Sequence, residues 1–395
     1  MSAVIVGYAR TPFVKFNGAF ASVPATELGA HAISAALARA GIDAATVEMV
    51  CAGQVLQGGA GQNPARQSAV GAGIPLSCPA ITLNAVCLSG LEAVVSAVRL
   101  ITAGEADVVV AVGQESMSLA PHAWVGSRAG KRYGAIEFID TMEYDGLTDA
   151  FEKRSMGLST EERNGALSIS REDQDQWAAR SHQRLAAGVA VQASEIAPLS
   201  IAPWSIAGRG GPTLISVDDG LRASTTVETL AALRPAFGES GTITAGTSSQ
   251  IADGAAAIVL MSSSAADALG ITKIATVVSH ALVAGPDVSL HSQPAHAIIA
   301  ALSRTPYSAA DLDAVEINEA FAAVAVHSTR LLGVDQSIVN SFGGAVALGH
   351  PIGASGARIV GHLALRLAAL GSGSVGAAGI CGGGGQGAAL VLTAL

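Results

Sequence analysis

The first 115 residues alternate short apolar runs with stretches in which apolar side chains recur every three or four positions. Four of the apolar runs predict strands: residues 4–6, 47–56, 80–86 and 108–112. Residues 26–40 are rich in alanine and end at Gly41, which predicts a helix with a glycine C-cap. Asn63 followed by Pro64 predicts the start of a second helix, because both residue types are favoured there. This alternation is typical of a parallel sheet covered by helices.

The region around Cys87 shows the pattern most clearly. Residues 80–86 form an apolar run, and the residues after Cys87 place apolar side chains at helical spacing until Gly104. Residues 108–112 then form another buried strand. The sequence therefore predicts a strand, a helix and a strand, with Cys87 at the junction of the first two elements.

Residues 120–240 differ from the rest of the chain in charge. They hold 28 of the 53 charged side chains, so we predict a solvated excursion from the core rather than another buried sheet. Within this region, residues 170–187 predict a capped helix and residues 203–213 predict a loop. Apolar character returns at residues 253–261, which predict a strand that rejoins the first sheet.

The last third of the chain repeats the order of the first. Residues 311–328 have the strand and helix pattern of residues 47–70, and residues 338–370 have the strand, turn and helix pattern that surrounds Cys87. We therefore predict two similar halves. The chain ends in two strands joined by the segment CGGGGQG, where we expect a tight turn that exposes Cys381.

Composition and charge narrow the class of protein. Half of the 395 residues are apolar and 13% are charged, which suits a folded interior and excludes a disordered chain. The net charge of −9 disfavours binding to nucleic acid or to an anionic membrane surface. The longest uncharged stretch, residues 367–395, contains nine glycines, so it lacks the pattern of a membrane span.

The cysteines and the N terminus bear on the compartment. Cys51, Cys78, Cys87 and Cys381 have no paired spacing, which predicts free thiols in a reducing compartment. The first residues show no basic flank followed by an apolar core and a cleavage site. We therefore expect no export signal and a cytoplasmic location.

Four residues are candidates for chemistry. Cys87 would lie near the unpaired amides of a helix start, which lower a thiol's pKa, although a buried structural cysteine is the commoner outcome for such a residue alone. His350 lies among five glycines, where backbone can approach a ligand and an imidazole can accept a proton. Cys381 precedes four glycines, but a strand follows them, which disfavours a dinucleotide-binding loop. Asn318 follows a strand, where it is either a ligand-binding residue or an ordinary helix cap.

Four segments resemble, in this order, the four signature blocks of the thiolases: NAVCLSGLEAV, NEAFA, VNSFGGAVALGHPIGASGAR and CGGGGQGAA. Further matches are GQESMS, SREDQDQWAARSHQ, LRPAF and GTITAGTSSQIADGAAA, so the resemblance covers essentially the whole chain. It implies an α/β thiolase-like fold, in which two similar βαβαβαββ halves form a layered α-β-α-β-α core with an inserted loop domain. The implied boundaries are 1–119 with 241–270 for the first half, 120–240 for the loop domain and 271–395 for the second half.

The resemblance also implies a role for each candidate. Cys87 matches the nucleophile that takes the acyl group, and His350 matches the residue that withdraws its proton. Cys381 matches the acid and base that acts on the α-carbon. Asn318 matches the residue that holds a water in one oxyanion hole with His350. The backbone amides of Cys87 and Gly383 match a second oxyanion hole, for the thioester.

Coenzyme A (CoA) and acyl-CoA are the implied substrates, with no metal and no permanently bound cofactor. The resemblance places contacts to them at five positions: Met156, Arg222, Phe237, Ser249 and Phe321. It also implies a homo-oligomer, either a dimer or a tetramer. The chain departs from the family pattern at Ser155, at residues 159–162, at residues 247–249, and at Leu290 with His291 near the acyl pocket. These departures leave the preferred acyl length open.

The predicted function is CoA-dependent cleavage of 3-ketoacyl-CoA, or the reverse Claisen condensation of acetyl-CoA, through an acyl-cysteine and on short acyl groups. Two alternatives stay open: a long-chain degradative thiolase, and a catalytically silent CoA-binding scaffold. A decarboxylating ketoacyl synthase is disfavoured, because that class uses a second histidine where this chain has Cys381.

Overall fold

The computed structural model describes residues 1–201 and 211–395. Within these ranges the chain forms the following strands: β1 Ala3–Arg10, β2 Val14–Lys15, β3 Met49–Gly53, β4 Ala80–Leu83, β5 Val108–Glu115, β6 His122–Ala123, β7 Ile139–Asp140, β8 Thr148–Asp149, β9 Arg154–Ser155, β10 Leu199–Ile201, β11 Thr213–Ile215, β12 Ala252–Ser262, β13 Ala275–Ala284, β14 Ala314–Ile317, β15 Val375–Gly382 and β16 Gln386–Ala394. The helices are α1 Ala25–Ala40, α2 Pro64–Gly71, α3 Ser89–Ala103, α4 Met156–Asn164, α5 Arg171–Ala187, α6 Val189–Glu195, α7 Val227–Ala231, α8 Ser263–Leu269, α9 Gln293–Leu302, α10 Ala322–Leu332, α11 Ala345–Leu348 and α12 Ser355–Leu370.

One large mixed sheet organises the molecule. Nine strands follow the order β14-β15-β16-β13-β1-β12-β5-β3-β4, and β2 pairs with the edge of β12. The outer strands of each half, β3 with β4 and β5 and β14 with β15, are parallel, whereas the strands nearer the middle pair antiparallel. The two halves meet at β1 and β13 through only two residue pairs, Val4 with Thr276 and Ile5 with Ala275. The predicted α/β class with two similar halves is confirmed.

Helices cover both faces of the sheet and also fill the space between its halves. Successive residues of β5 alternate between two apolar clusters: Val109 and Ala111 pack with α3 and α12, and Val108, Val110 and Val112 pack with α1 and α2. A third cluster joins the outer face of the second half to α9 and α10. Burial on both faces explains why these strands are nearly continuous apolar runs in the sequence. The middle layer, α3 with α12, is the part that positions the candidate site.

Local signals placed most element ends correctly. Gly41 ends α1 in the left-handed conformation, with φ 67°, and the Asn63 side chain accepts a hydrogen bond from the Arg66 amide at the start of α2. Ser170 forms a capping box with Asp173 at the start of α5. Two expectations need adjustment: the strand predicted at 47–56 is only Met49–Gly53, and the loop predicted at 203–213 lies outside the described residues up to 210 and contains the start of β11.

A cluster of buried charges ties the charged middle region to the sheet. Arg10 of β1 is fully buried, and its guanidinium bonds Asp218 at 2.7 Å and Glu195 of α6 at 3.2 Å. The other oxygen of Glu195 bonds Nδ1 of His362 in α12. A buried charge without a partner lowers the stability of the fold. These ion pairs therefore hold the charged middle region against β1 and α12.

Helix α3 is the one apolar enough to resemble a membrane span within the described part of the chain. The 18-residue window Val86–Ala103 has a mean hydropathy of 1.7, but most of it is buried inside the protein. Its apolar face packs in the central cluster between the sheet halves. The helix therefore has the pattern of a core helix.

Glycines set the distance between α3 and α12. A Cβ atom on Gly90 of α3 would lie 2.6 Å from the carbonyl oxygen of Gly353, and one on Gly356 of α12 would fall inside contact distance of the Leu91 nitrogen. Backbone atoms cannot yield as a flexible side chain can. The two helices therefore approach each other more closely than any other residue type would allow.

We expect Gly356→Ala to lower the free energy of unfolding by about 1–3 kcal/mol, because the added methyl group forces the two helices apart. Urea denaturation measures this change. Gly165→Ala is the matched control, since Gly165 has helical angles and, beyond its own stretch of chain, no described atom lies within 4 Å of its Cβ position. Equal stability losses in the two variants would contradict the packing argument.

Candidate active site

The segments that carry Cys87, His350 and Cys381 meet at the N-terminal ends of α3 and α12. Cys87 lies two residues before α3, and His350 lies five residues before α12. Cys381 is near the end of β15, where a Cβ on the next residue, Gly382, would lie 2.8 Å from the Leu88 side chain. The fold therefore brings together three segments that are far apart in the sequence.

Cys87 is a buried thiol aimed at backbone amides. Cys87 is 4% exposed, and the backbone amides of Cys87 and Gly383 lie close enough to the sulfur to act on its pKa. These are the two amides that the resemblance assigns to the second oxyanion hole. Since both lie close to one atom, an oxyanion formed at that position would meet two fixed donors.

The expectation that Cys87 has a lowered pKa is wrong for the free protein. Burial raises the pKa of the thiol to about 12, and the carboxylate of Glu115 acts in the same direction, against the opposing effect of the two amides. The helix also begins at Ser89, two residues later than the cysteine. The resting side chain is therefore a neutral thiol, and a base must take its proton as it attacks.

We expect the alkylation of Cys87 by iodoacetamide to accelerate about tenfold per pH unit from pH 7 to pH 10, because the reactive thiolate is a minor species throughout that range. Peptide mass spectrometry of the Cys87 peptide measures the rate. A free thiol of ordinary pKa, about 8.5, serves as the reference and levels off within the range. A plateau for Cys87 near neutral pH would contradict a raised pKa.

His350 is placed and oriented as a base. Burial, together with the charge of Arg358, lowers its pKa to about 3, so the imidazole is neutral at physiological pH. Its Nδ1 lies 2.6 Å from the Ser355 hydroxyl, which donates to the carbonyl oxygen of Pro351 at 3.1 Å. We assign the ring proton to Nδ1 on this basis, which leaves Nε2 free to accept a proton.

Asn318 lies beside the imidazole. Its backbone amide donates to the carbonyl of Gly379 at 3.0 Å, which fixes it at the end of β14 next to β15. Its Nδ2 is 3.5 Å from both ring nitrogens of His350, at the limit of hydrogen bonding. The Oδ1 atom is buried and has no partner among the described residues. The arrangement leaves two acceptors, Oδ1 of Asn318 and Nε2 of His350, to which a water could donate.

Cys381 is buried, which corrects the expectation that the glycine run exposes it. Its side chain is 0% exposed, because β15 continues through Gly382 and the turn begins only after it. Burial raises the pKa of the Cys381 thiol, and the neighbouring Cys87 sulfur adds to the effect. The side chain packs in a small apolar cluster with Leu290, Val324 and Ala320.

Four of the five predicted CoA-contact residues form one group next to Cys381. Met156 and Phe321 pack against the Cys381 cluster. The ring of Phe237 meets the ring of Phe321 edge to face, with centroids 6.1 Å apart, and the amide of Ser249 donates to the carbonyl of Ala320 at 3.0 Å. Arg222 is joined instead to α5, where its amide donates to Nδ1 of His182 at 3.2 Å.

A cleft of about 860 Å³ opens beside this group. It is lined by Val86, Met156 and Gly383, which adjoin the two cysteines, and by Tyr144 and Phe151 of the charged region. Its lining is about equally polar and apolar in character, since Asn84 and Asp149 also face it. A ligand in this cleft would therefore reach the edge of the cysteine pair.

The sequence analysis missed three residues that shape the site: Ser355, Glu115 and Glu319. Ser355 sets the tautomer of His350 from only five residues away, and its position at the start of a predicted helix was the available signal. Glu115 lies inside the GQESMS match and Glu319 inside NEAFA, directly after Asn318. Both carboxylates are buried and accept backbone amides of the segments around the site.

Known proteins match this chain over nearly its whole length. A "Probable acetyl-CoA acetyltransferase" of Mycolicibacterium smegmatis is 52% identical over 391 residues, which cover 98% of this chain and 100% of that protein. An acetyl-CoA acetyltransferase of Cupriavidus necator is 44% identical, with 98% of each chain covered. The crystal structure of the Bacillus anthracis acetyl-CoA acetyltransferase matches with a TM-score of 0.95 at 35% identity, over 100% of this chain and 99% of that one.

The family matches divide the chain in two. The N-terminal thiolase domain matches residues 3–264, and the C-terminal thiolase domain matches residues 271–394. Cys87 lies in the first match, and His350 and Cys381 lie in the second, so the site is built from both. Since both domains match and a solved thiolase structure has the same fold, the chain belongs to the thiolase family.

Proposed function

We propose that this thiolase is an acetyl-CoA acetyltransferase, which joins two acetyl-CoA molecules to form acetoacetyl-CoA and CoA and also catalyses the reverse cleavage. The observation that supports the proposal is the close approach, at one end of the middle helix layer, of the segments that carry Cys87, His350 and Cys381. The names of the relatives support the same activity, because those that match over nearly their full length are acetyl-CoA acetyltransferases.

In the first half-reaction, the Cys87 sulfur attacks the carbonyl carbon of acetyl-CoA while its proton passes to Nε2 of His350. A neutral thiol beside a neutral imidazole suits this transfer, because no charge has to be buried before the attack. The carbonyl oxygen becomes an oxyanion, and fixed amide donors such as those of Cys87 and Gly383 can each stabilise it by roughly 3 kcal/mol. The carbon–sulfur bond to CoA then breaks, and the CoA thiolate takes the proton.

In the second half-reaction, Cys381 first gives its own proton to the neutral His350 and then, as a thiolate, removes a proton from the α-carbon of a second acetyl-CoA. Asn318 and His350 lie where a water between them would stabilise the enolate oxygen. The enolate carbon attacks the acetyl group on Cys87, and the Cys87 thiolate leaves with acetoacetyl-CoA as product. The thiolate then takes the proton from His350, so both cysteines end as thiols. Cleavage is the same sequence in reverse, and the steps use only side chains, backbone amides and CoA.

We expect the side chains around Cys381 to favour a short acyl group. Leu290, Val324, Ala320, Met156 and Phe321 form an apolar wall around this sulfur. All are apolar, so the group they favour is a small hydrocarbon rather than a polar one. Rates over a series of 3-ketoacyl-CoA lengths test this point, and a maximum at long chains would favour the degradative alternative.

We further propose that the protein is a cytoplasmic homo-oligomer, with residues 120–240 as a loop domain that covers CoA, including a contact at Arg222. Exposed aromatic side chains support association, since Tyr133 is 94% exposed and Phe151 76% exposed. Strand β4 also leaves one edge of the sheet without a partner strand among the described residues. Light scattering of the purified protein measures the number of subunits, and a monomer would contradict the proposal.

Incubation with acetyl-CoA, followed by peptide mass spectrometry, tests the proposed function. An acetyl adduct on the Cys87 peptide, together with acetoacetyl-CoA in solution, supports an acetyltransferase. A folded protein that binds CoA but forms neither product would support a CoA-binding scaffold instead.

A further inference from the structure

Two buried carboxylates next to the site take no part in the steps above. Glu115 is 0% exposed and Glu319 is 1% exposed. Neither forms an ion pair within the described residues, which sets them apart from buried acids such as Glu195. Burying a carboxylate without a cationic partner costs free energy unless hydrogen-bond donors surround it. The donors around each glutamate therefore show which segments that glutamate holds in place.

Glu115 holds two segments at the end of β5. Its Oε2 accepts the amide of Val55 at 3.0 Å and the amide of Gly353 at 2.9 Å, and its Oε1 accepts the amide of Leu56 at 3.2 Å. Gly353 lies three residues after His350. The carboxylate therefore fixes the C-terminal side of the loop that carries the imidazole.

Glu319 holds the other side of the same loop. Its Oε2 accepts the amide of Val346 at 3.1 Å and the hydroxyl of Ser181 at 2.8 Å. Its Oε1 accepts Nε1 of Trp177 at 2.9 Å and Nδ2 of Asn340 at 2.8 Å.

The backbone at Gly344 also packs directly against the Glu319 carboxylate. A Cβ atom on Gly344 would lie 2.5 Å from both oxygens of Glu319, so only glycine fits there. All four donors and this close approach converge on one side chain. The N-terminal side of the loop is thereby fixed as tightly as the other side.

The two contacts bracket the catalytic imidazole. Val346 lies four residues before His350 and Gly353 three residues after it, and between them the His350 amide donates to the carbonyl of Gln250 at 2.9 Å. Carboxyl oxygens from opposite halves of the fold therefore hold both ends of this eight-residue piece. Burial raises the pKa of Glu115 to about 7, against the opposing effect of the backbone amides that it binds.

We propose that Glu115 and Glu319 are positioning residues, which hold the His350 segment, residues 346–353, so that the imidazole lies between Cys87 and Asn318. This inference rests on the proposed function, because it assigns the base of that reaction. A displacement of about 1 Å at a reacting group can cost 100-fold in rate, so the two carboxylates act through the place of His350 and touch no substrate.

Glu115→Gln and Glu319→Gln test the proposal, because each replaces a carboxylate oxygen by an amide nitrogen that cannot accept. We expect each to lower kcat for condensation about 10- to 100-fold, with a much smaller change in KM for acetyl-CoA. Asp175→Asn is the matched control: Asp175 is also buried and accepts a hydrogen bond from Nε of Arg171 at 2.8 Å, with no hydrogen bond to the His350 segment among the described residues. It should keep kcat within about threefold of the wild type.

A cycle with His350→Ala separates positioning from general support of the fold. The rate of Cys87 acetylation is measured by mass spectrometry in all four combinations for each glutamate. We expect the Gln variants to slow acetylation in the wild-type background and to have no further effect once the imidazole is gone. Equal losses in both backgrounds, or a lowered melting temperature with unchanged kcat, would overturn the proposal.

Two further arms complete the experiment. Where a Gln variant does not fold, the Asp variant takes its place under the same criterion, since it keeps the charge but shortens the reach by one methylene. Wild-type protein is assayed in parallel: absence of acetyl-Cys87 there would refute the proposed function, whereas active wild type with fully active variants would refute the positioning role alone.

Discussion

Cys87→Ala is expected to abolish both half-reactions. Without the sulfur there is no atom to accept the acyl group, because the proposed role of the neighbouring Cys381 is at the α-carbon. Loss of a covalent nucleophile costs about 10⁴- to 10⁶-fold in turnover. The variant should still fold, since the substitution removes one small atom from a buried position. Assays of condensation and of acetoacetyl-CoA cleavage measure the effect.

Cys51→Ala is the matched control for this variant. Cys51 is also fully buried, and burial raises its pKa to about 12, but it lies in the middle of β3. It should retain full activity and the Cys87 adduct. Residual turnover in Cys87→Ala above about one part in 10³ of the wild type would contradict the assignment of the nucleophile.

Cys381→Ala is expected to separate the two half-reactions. Acetyl transfer from acetyl-CoA to Cys87 needs only the nucleophile, His350 and the amide donors, so the adduct should form at close to the wild-type rate. Condensation needs a base at the α-carbon, and general base catalysis is worth about 10²- to 10⁴-fold. Condensation should fall by that factor while the acetyl-enzyme accumulates.

Time-resolved mass spectrometry of the Cys87 peptide, run beside a product assay, distinguishes these steps. Cys78→Ala serves as the control, because Cys78 is buried in the first half of the chain and away from β15. A Cys381→Ala variant that condenses normally would refute this division of labour. One that forms no adduct would place Cys381 in the first half-reaction as well.

Local patterns predicted the elements that local interactions fix. The start of α5 was predictable because Ser170 and Asp173 satisfy each other's backbone within four residues. The junction at Cys87 was equally visible, since a strand-like run gives way to helical spacing there. Such features depend on a few neighbouring side chains and can be identified without knowledge of the fold.

The errors came from quantities that depend on distant parts of the chain. The thiol pKa of Cys87 was predicted from the nearby helix, but burial by other segments outweighs the amides. The glycine run after Cys381 predicts an open turn, whereas Gly382 allows β15 to approach Leu88 closely and stay buried. Local sequence propensity carries no information about how deeply distant segments bury Cys87 or Cys381.

Glu115 and Glu319 were missed for the same reason. Glu115 accepts amides from Val55 and Gly353, which are 60 and 238 residues away in the sequence. Backbone amides also carry no side-chain signature, so no motif search could pair them with a carboxylate. Only the folded structure shows which amides a buried acid holds.

The buried Arg10, Glu195, Asp218 and His362 cluster has a consequence for how the protein loses its structure. Pulling the charged middle region away from β1 would strand an unpaired guanidinium or carboxylate in the interior, at a cost of about 3–5 kcal/mol. A cooperative unit of this kind melts in one step, and its members share one hydrogen-exchange rate for global opening. The charged middle region is therefore not expected to fold as an independent unit. Expressed alone, it would contain Glu195 and Asp218 without their partners Arg10 and His362.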